Sequence, residues 1–201
     1  MILKPRPFRK PNLGHPLAKG LVGYWLMNEG TGNTVQDLSG NGHTGTFVNE
    51  TVWDAGKFGS CLSFDGTDDY VNINSIKDTV QNDTEGTMSA WFYADTIGSE
   101  EDQTALSFTL GTWGVIALGR FEDRLIGIGT EEGETRFSIF APGVLTAGEW
   151  YHAVLVHNGA TPILYLNGNE VDVTLTGVDY TYWFSGGTVN GASIGSRKPN
   201  L

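Results

Sequence analysis

Asp37, Asn41 and His43 fall in one glycine-dense stretch, Asp37-Leu38-Ser39-Gly40-Asn41-Gly42-His43. A loop of this kind can offer several side-chain and backbone oxygens to a hard cation such as calcium, which takes six to eight of them. The same residue types also build turns through hydrogen bonds to their own backbone, and that reading is slightly favoured. Asp65, Asp68 and Asp69 form a second acidic cluster. It lacks the full spacing of an EF-hand loop and is accounted for by hairpin chemistry. Exposed aromatic rings supply a different chemistry, since their faces stack on the apolar surfaces of sugars. Trp91, Trp113, Tyr182 and Trp183 are the candidates, with Trp113, Tyr182 and Trp183 carried forward as a carbohydrate site. Gly and Ser directly after Tyr182-Trp183-Phe184 make that cluster the least core-like, whereas Trp25, Trp53 and Trp150 look like core.

Groups arranged for catalysis are sparse. A sugar hydrolase of retaining type needs two carboxylates about 5–5.5 Å apart on one face. No Glu-x-Asp-x-(x)-Glu strand occurs, and Glu131, Glu132 and Glu134 read as a solvated turn. His152 and His157 are five residues apart, so in a strand they point to opposite faces. The motifs G-x-S-x-G, H-E-x-x-H and G-x-x-x-x-G-K-[ST] are missing from the chain. No enzymatic activity is expected. Cys61, the one cysteine, reads as a small apolar filler rather than a reactive thiol.

The elements that must position these residues are short strands. Gly86–Tyr93 alternates, setting Met88, Ala90 and Phe92 on one face and Thr87, Ser89, Trp91 and Tyr93 on the other. Further strands are expected near 21–27, 46–48, 61–64, 70–73, 104–110, 114–119, 124–129, 135–140, 150–157, 163–166, 170–173 and 192–195. Residues 61–64 and 70–73 read as a hairpin around the 65–69 loop, and Asn167-Gly168 as a second hairpin turn. Gly127-Ile128-Gly129 reads as a strand end. No long apolar pattern of helical period exists. With 28 glycines in 201 residues, this predicts an all-β antiparallel sandwich.

Charge is distributed unevenly. The net charge is −11, yet residues 1–20 hold Lys4, Arg6, Arg9, Lys10 and Lys19 and no acid. The acidic body argues against binding nucleic acid through phosphates. Residues 1–19 contain four prolines and read as an extended basic arm, with residues 20–201 as the folded domain. Lys4, Arg6, Phe8, Arg9 and Lys10 are the expected docking residues of that arm on a scaffold. The arm lacks the apolar run of a signal peptide, so no secretion signal is expected there. No run reaches the ~18 apolar residues of a membrane span.

Several segments together resemble a known family. They are Gly23-Tyr24-Trp25-Leu26-Met27-Asn28-Glu29-Gly30, Asp37-Leu38-Ser39-Gly40-Asn41-Gly42, Phe64-Asp65-Gly66-Thr67-Asp68-Asp69-Tyr70-Val71, Met88-Ser89-Ala90-Trp91-Phe92, Trp150-Tyr151-His152-Ala153-Val154 and Leu164-Tyr165-Leu166-Asn167-Gly168. In order and spacing they resemble the laminin-G-like jelly roll of the concanavalin A-like lectin and glucanase superfamily, over residues 21–195. The resemblance implies a two-sheet jelly-roll sandwich, often with one structural calcium ion, used for binding or adhesion. Such domains usually end in a Phe-x-Gly-x-Ile-Asp-like strand, which this chain lacks before Leu201. Either that strand is absent, or the arm or a neighbouring chain takes its place. Together with the basic arm, the resemblance implies a non-catalytic domain on the surface of a virus or phage particle, such as a capsid decoration or tail-associated protein. The alternative is an extracellular carbohydrate-binding or adhesion module of a bacterial protein. Expected partners are virion or scaffold subunits through the arm, cell-surface glycans, and a second copy of the chain.

Overall fold

The protein is described by a computed structural model, over residues 11–98, 103–184 and 187–195. Within them lie fifteen strands: β1 (Thr34–Val35), β2 (Gly45–Val48), β3 (Val52–Gly56), β4 (Gly59–Ser63), β5 (Tyr70–Asn72), β6 (Gly86–Ala94), β7 (Gln103–Leu110) and β8 (Gly114–Phe121), then β9 (Arg124–Glu131), β10 (Glu134–Ala141), β11 (Glu149–His157), β12 (Ile163–Leu166), β13 (Asn169–Glu170), β14 (Thr174–Thr176) and β15 (Val189–Ile194). They form a nine-stranded sheet, β1-β2-β5-β15-β7-β8-β9-β10-β14, a four-stranded sheet, β13-β12-β11-β6, and the hairpin β3-β4. Every pairing is antiparallel. This is the expected two-sheet jelly-roll sandwich.

The core lies between the two large sheets. Phe108, Leu110, Ile116, Leu118, Leu125, Phe137 and Ile139 meet Met88, Tyr151, Ala153, Leu155, Leu164 and Leu166, all buried. Alternation along β11 puts Tyr151, Ala153, Leu155 and His157 inward. Gly127 and Gly129 sit mid-strand in β9, not at its end as expected. A Cβ on Gly127 would come within 2.8 Å of Leu155, and one on Gly129 would strike the Phe137 ring. Their missing side chains make room for Leu155 of the facing sheet and for Phe137 of the neighbouring strand.

Three further expectations are corrected. Residues 21–27 do not form a strand; only the bridge Trp25–Asp37 is present. Met27 turns to a positive φ of 54°, which ends the extension. Residues 61–64 and 70–73 do not pair as a hairpin. β4 pairs with β3, while β5 pairs with β2 and β15, so the 65–69 loop carries the chain from one sheet to another. Within the segment expected to be extended, Pro16–Ala18 forms a 3-10 turn, opened by a proline whose fixed φ suits the first helical position.

Candidate aromatic binding face

β6 and β11 pair over nine residues, and the register decides which outward side chains meet. Trp91 stands opposite His152, and Tyr93 opposite Trp150. Trp91 and His152 stack with centroids 5.1 Å apart and planes 29° apart. Tyr93 and Trp150 lie 5.5 Å apart, tilted by 48°. Both Trp91 and Tyr93 remain 48 % exposed, an uncommon exposure for such large rings. Ser89 Oγ and His152 Nε2 share a hydrogen bond of 2.9 Å on the same face. β12 extends the face through Tyr165, which is opposite Val154. The Asn167-Gly168 turn pins β11 in place. Asn167, at φ 52°, accepts the His152 N–H through Oδ1 at 3.0 Å and donates its own N–H to the His152 carbonyl at 2.8 Å.

A second element reaches this face. The β3-β4 hairpin turns through Lys57-Phe58 between Gly56 and Gly59. Gly59 adopts φ +119°, a value open to glycine alone at little cost. The Ser60 N–H donates to Asn28 Oδ1 at 3.1 Å, tying the hairpin tip to the preceding loop. Phe58 sets its ring edge-to-face on Trp91 at 5.8 Å. Lys57 Nζ lies 5.0 Å from the Trp91 centroid and 5.9 Å from that of Phe58. Phe58, itself 56 % exposed, therefore extends the aromatic surface. The result is a run of rings with hydroxyl, imidazole and ammonium groups beside them, able to stack on a sugar ring and hydrogen-bond its hydroxyls. Sequence reading included Trp91 but missed Phe58 and Lys57. The one local signal was the Gly-x-x-Gly spacing of residues 56–59.

The other sequence candidates separate. Trp113 is 67 % exposed, on the β7-β8 turn of the nine-stranded sheet, away from the aromatic face. Tyr182 and Trp183 are corrected: with Phe184 they are buried at 6 %, 2 % and 3 % exposure. Trp183 stacks on His157 at 4.9 Å and 20°, and Phe184 meets Phe108 edge-on at 4.9 Å. These rings fill the core and present no face to a ligand. Burial pushes the Tyr182 hydroxyl up to about 12, with the nearby Glu131 adding and Arg136 opposing. Trp150 is corrected in the other direction, from core to the outer face. Trp25 and Trp53 are half-buried, donating their indole N–H to the carbonyls of His43 at 2.7 Å and Gly32 at 2.8 Å. Lys4, Arg6, Phe8, Arg9 and Lys10 lie outside the described residues.

The structure does bring Asp37, Asn41 and His43 together, as a hydrogen-bonded staple. Asp37 Oδ1 accepts the N–H of Tyr24 at 3.0 Å and of Ser39 at 2.8 Å. Its Oδ2 accepts the Ser39 hydroxyl at 2.8 Å and the His43 N–H at 2.9 Å. Burial raises the Asp37 carboxyl, but these four bonds outweigh it and hold the group below its ordinary value. Asn41 Nδ2 donates to the carbonyls of Leu21 and Val22, and the His43 carbonyl is taken by Trp25. The carboxylate and that carbonyl are thus committed to protein donors. They do not form the set of six to eight free oxygens that calcium requires. The Asp65, Asp68 and Asp69 carboxylates lie within 4.8 Å of one another. Asp65 Oδ1 accepts the N–H groups of Thr67 and Asp68, and Asp69 those of Glu50 and Asp65. Asp65 thus closes its own turn, while Asp69 also ties the loop to Glu50, in a crossover between sheets and not the expected hairpin.

Three of the groups weighed for catalysis, His157, Glu131 and Glu134, are engaged in structural contacts. His157 faces the core, opposite in direction to His152. Its Nε2 donates to the Tyr180 carbonyl at 2.9 Å, and its Nδ1 accepts from Gly159 N–H at 3.3 Å. Burial lowers its pKa, against hydrogen bonds to Tyr180 and Thr84 and the charge of Asp179. Glu131 and Glu134 are both ion-paired with Arg136, at 2.8 and 2.9 Å.

Comparison with known proteins agrees with this architecture. The family model of laminin G type, described as the concanavalin A-like lectin/glucanases superfamily, matches residues 65–200. Domain 4 of AbnA, an extracellular arabinanase from Geobacillus stearothermophilus solved with arabinotriose, superposes with a TM-score of 0.58 at 15 % identity, over 81 % of this chain and 78 % of that one. The CBM40 of a Ruminococcus gnavus sialidase, bound to α2,3-sialyllactose, gives 0.50 at 16 %, over 62 % and 71 %. Residues 221–444 of an S-layer domain-containing protein from Clostridium thermocellum give 0.50 at 25 %, over 76 % and 71 %. No curated protein matches the chain. The chain belongs to the laminin-G-type family of the concanavalin A-like lectin/glucanase superfamily.

Proposed function

We infer that the protein is a non-catalytic carbohydrate-binding module, working outside the cell through the outer face of its four-stranded sheet. The observation that carries this reading is the aromatic row of exposed Phe58, Trp91 and Tyr93 with half-buried Trp150 beside them, and Ser89 and His152 interleaved. Aromatic faces beside a few hydrogen-bonding groups are what a pyranose needs, and fold alone would not identify a function. Two of the superposed structures were solved with bound oligosaccharides, which favours a glycan over other ligands. The test is a glycan array followed by calorimetry, with Trp91→Ala and Tyr93→Ala beside the unaltered protein. Binding that each substitution weakens at least about tenfold, or ~1.4 kcal/mol, supports the reading. Binding that neither alters overturns it.

A virion setting is a second reading, favoured by the acid-free basic segment at residues 1–20. There Lys4, Arg6, Phe8, Arg9 and Lys10 dock onto a particle while the sandwich faces outward. Deleting residues 1–19 then abolishes assembly onto the particle and leaves the fold intact. Unimpaired assembly would contradict it.

A further inference from the structure

Lys57 is the unusual residue of the aromatic face. Its backbone sits in a tight turn held by Asn28 and by the Phe58–Trp91 contact, so its position is set by the fold. Its ammonium stands over the Trp91 ring at 5.0 Å, which is where a sugar ring would stack. No carboxylate of the described residues lies within 4.0 Å of it, since the ion pairs found there use Arg124 and Arg136. In a chain of net charge −11, this places an ammonium with no ion-pair partner among the described residues directly on the aromatic face. The acids of this sheet stand at its margins. Glu149 begins β11 opposite Ala94, and Glu170 lies on the far strand β13 opposite Tyr165. Around Trp91 stand the polar groups of Ser89, His152 and Lys57, the first two hydrogen-bonded to each other and the last two against its ring.

Resting on the carbohydrate reading above, we propose that the ligand sugar carries a carboxylate and that Lys57 selects it. The reasoning is an exchange. A sugar that stacks on Trp91 must move the ammonium off the ring, and the four-carbon stem of lysine permits that. A neutral sugar breaks the cation–π contact and returns nothing to the ammonium. A sugar acid receives it as a charge-assisted hydrogen-bond partner at the edge of the same ring. Repulsion by the acidic body acts on every anionic ligand, and Lys57 supplies the local attraction that offsets it.

The probes are two matched pairs, trigalacturonate against its methyl ester and sialyllactose against its methyl ester, titrated calorimetrically into the full chain. The first pair presents a uronic acid and the second a sialic acid, so the preferred source of carboxylate is read directly. The expected result is at least about fivefold tighter binding of one acid over its neutral partner. Lys57→Gln erases that preference, and salt weakens the acid alone. Trp91→Ala removes both. A preference that survives Lys57→Gln, or equal binding of acid and neutral forms, overturns the proposal while the platform stands. Binding that survives Trp91→Ala, or no binding of any probe at about millimolar concentration, overturns the platform reading and the proposal with it. A thermal melt of each variant confirms that it is folded.

Discussion

The two aromatic clusters of this molecule are built from the same residue types and end in opposite places. Trp91 and Tyr93 are each 48 % exposed, whereas Tyr182, Trp183 and Phe184 are all under a tenth exposed. The difference is set by what each backbone does. Along β6 the side chains alternate, so Met88 turns inward and Trp91 must turn outward, whatever its hydrophobicity. Residues 182–184 lie in no strand, and that freedom lets consecutive rings fold over His157, Phe137 and Phe108. In a regular strand the period assigns the face. In a loop the unfilled volume of the core assigns it.

This comparison predicts its own breaking points. Trp183→Ala removes the ring that closes the core and should cost about 3–5 kcal/mol, read as a lower urea midpoint with little change in m. Asp37→Ala leaves the N–H groups of Tyr24, Ser39 and His43 without their acceptor, at a cost of about 2–4 kcal/mol. Asp37→Asn, which keeps an oxygen, should lose less. Trp91→Ala, on the exposed cluster, should move stability by no more than about 1 kcal/mol while removing sugar binding. The reverse outcome, a destabilised Trp91→Ala and a neutral Trp183→Ala, would invert the assignment of the two clusters.

The smallest effect is a pH dependence. His157 is held neutral by burial, so its folded pKa lies below the ordinary value of about 6.5. Below that value the unfolded chain takes up a proton that the fold refuses. This contribution to stability is therefore complete above about pH 6.5 and declines as pH falls toward the lowered folded value. His157→Gln should flatten that segment of a Tm-against-pH curve.

Much of the sandwich was legible because alternation is a local property. Met88 and Trp91, or His152 and His157, can be assigned to faces from parity alone. Pairing partners were less legible. The apparent hairpin at 61–73 has sound turn residues, but β4 finds β3 because Lys57-Phe58 makes a tighter connection, which the surrounding sequence does not advertise. Asp37 was found as a loop residue, yet its four donors come from segments up to thirteen residues away. The binding face was half visible. Trp91 could be read from its strand, whereas Phe58 and Trp150 join it only through register and a hairpin that folds across. Tyr182 and Trp183 misled because the Gly and Ser after them end an element without exposing it.

The central claim is that the outer face of the four-stranded sheet is where ligand binds. The most direct test follows the six tryptophan indole N–H resonances by NMR as trigalacturonate or sialyllactose is added. The account predicts that Trp91 and Trp150 shift in proportion to occupancy while Trp183 and Trp113 stay fixed. Shifts confined to Trp113, or to none of the six, would contradict it.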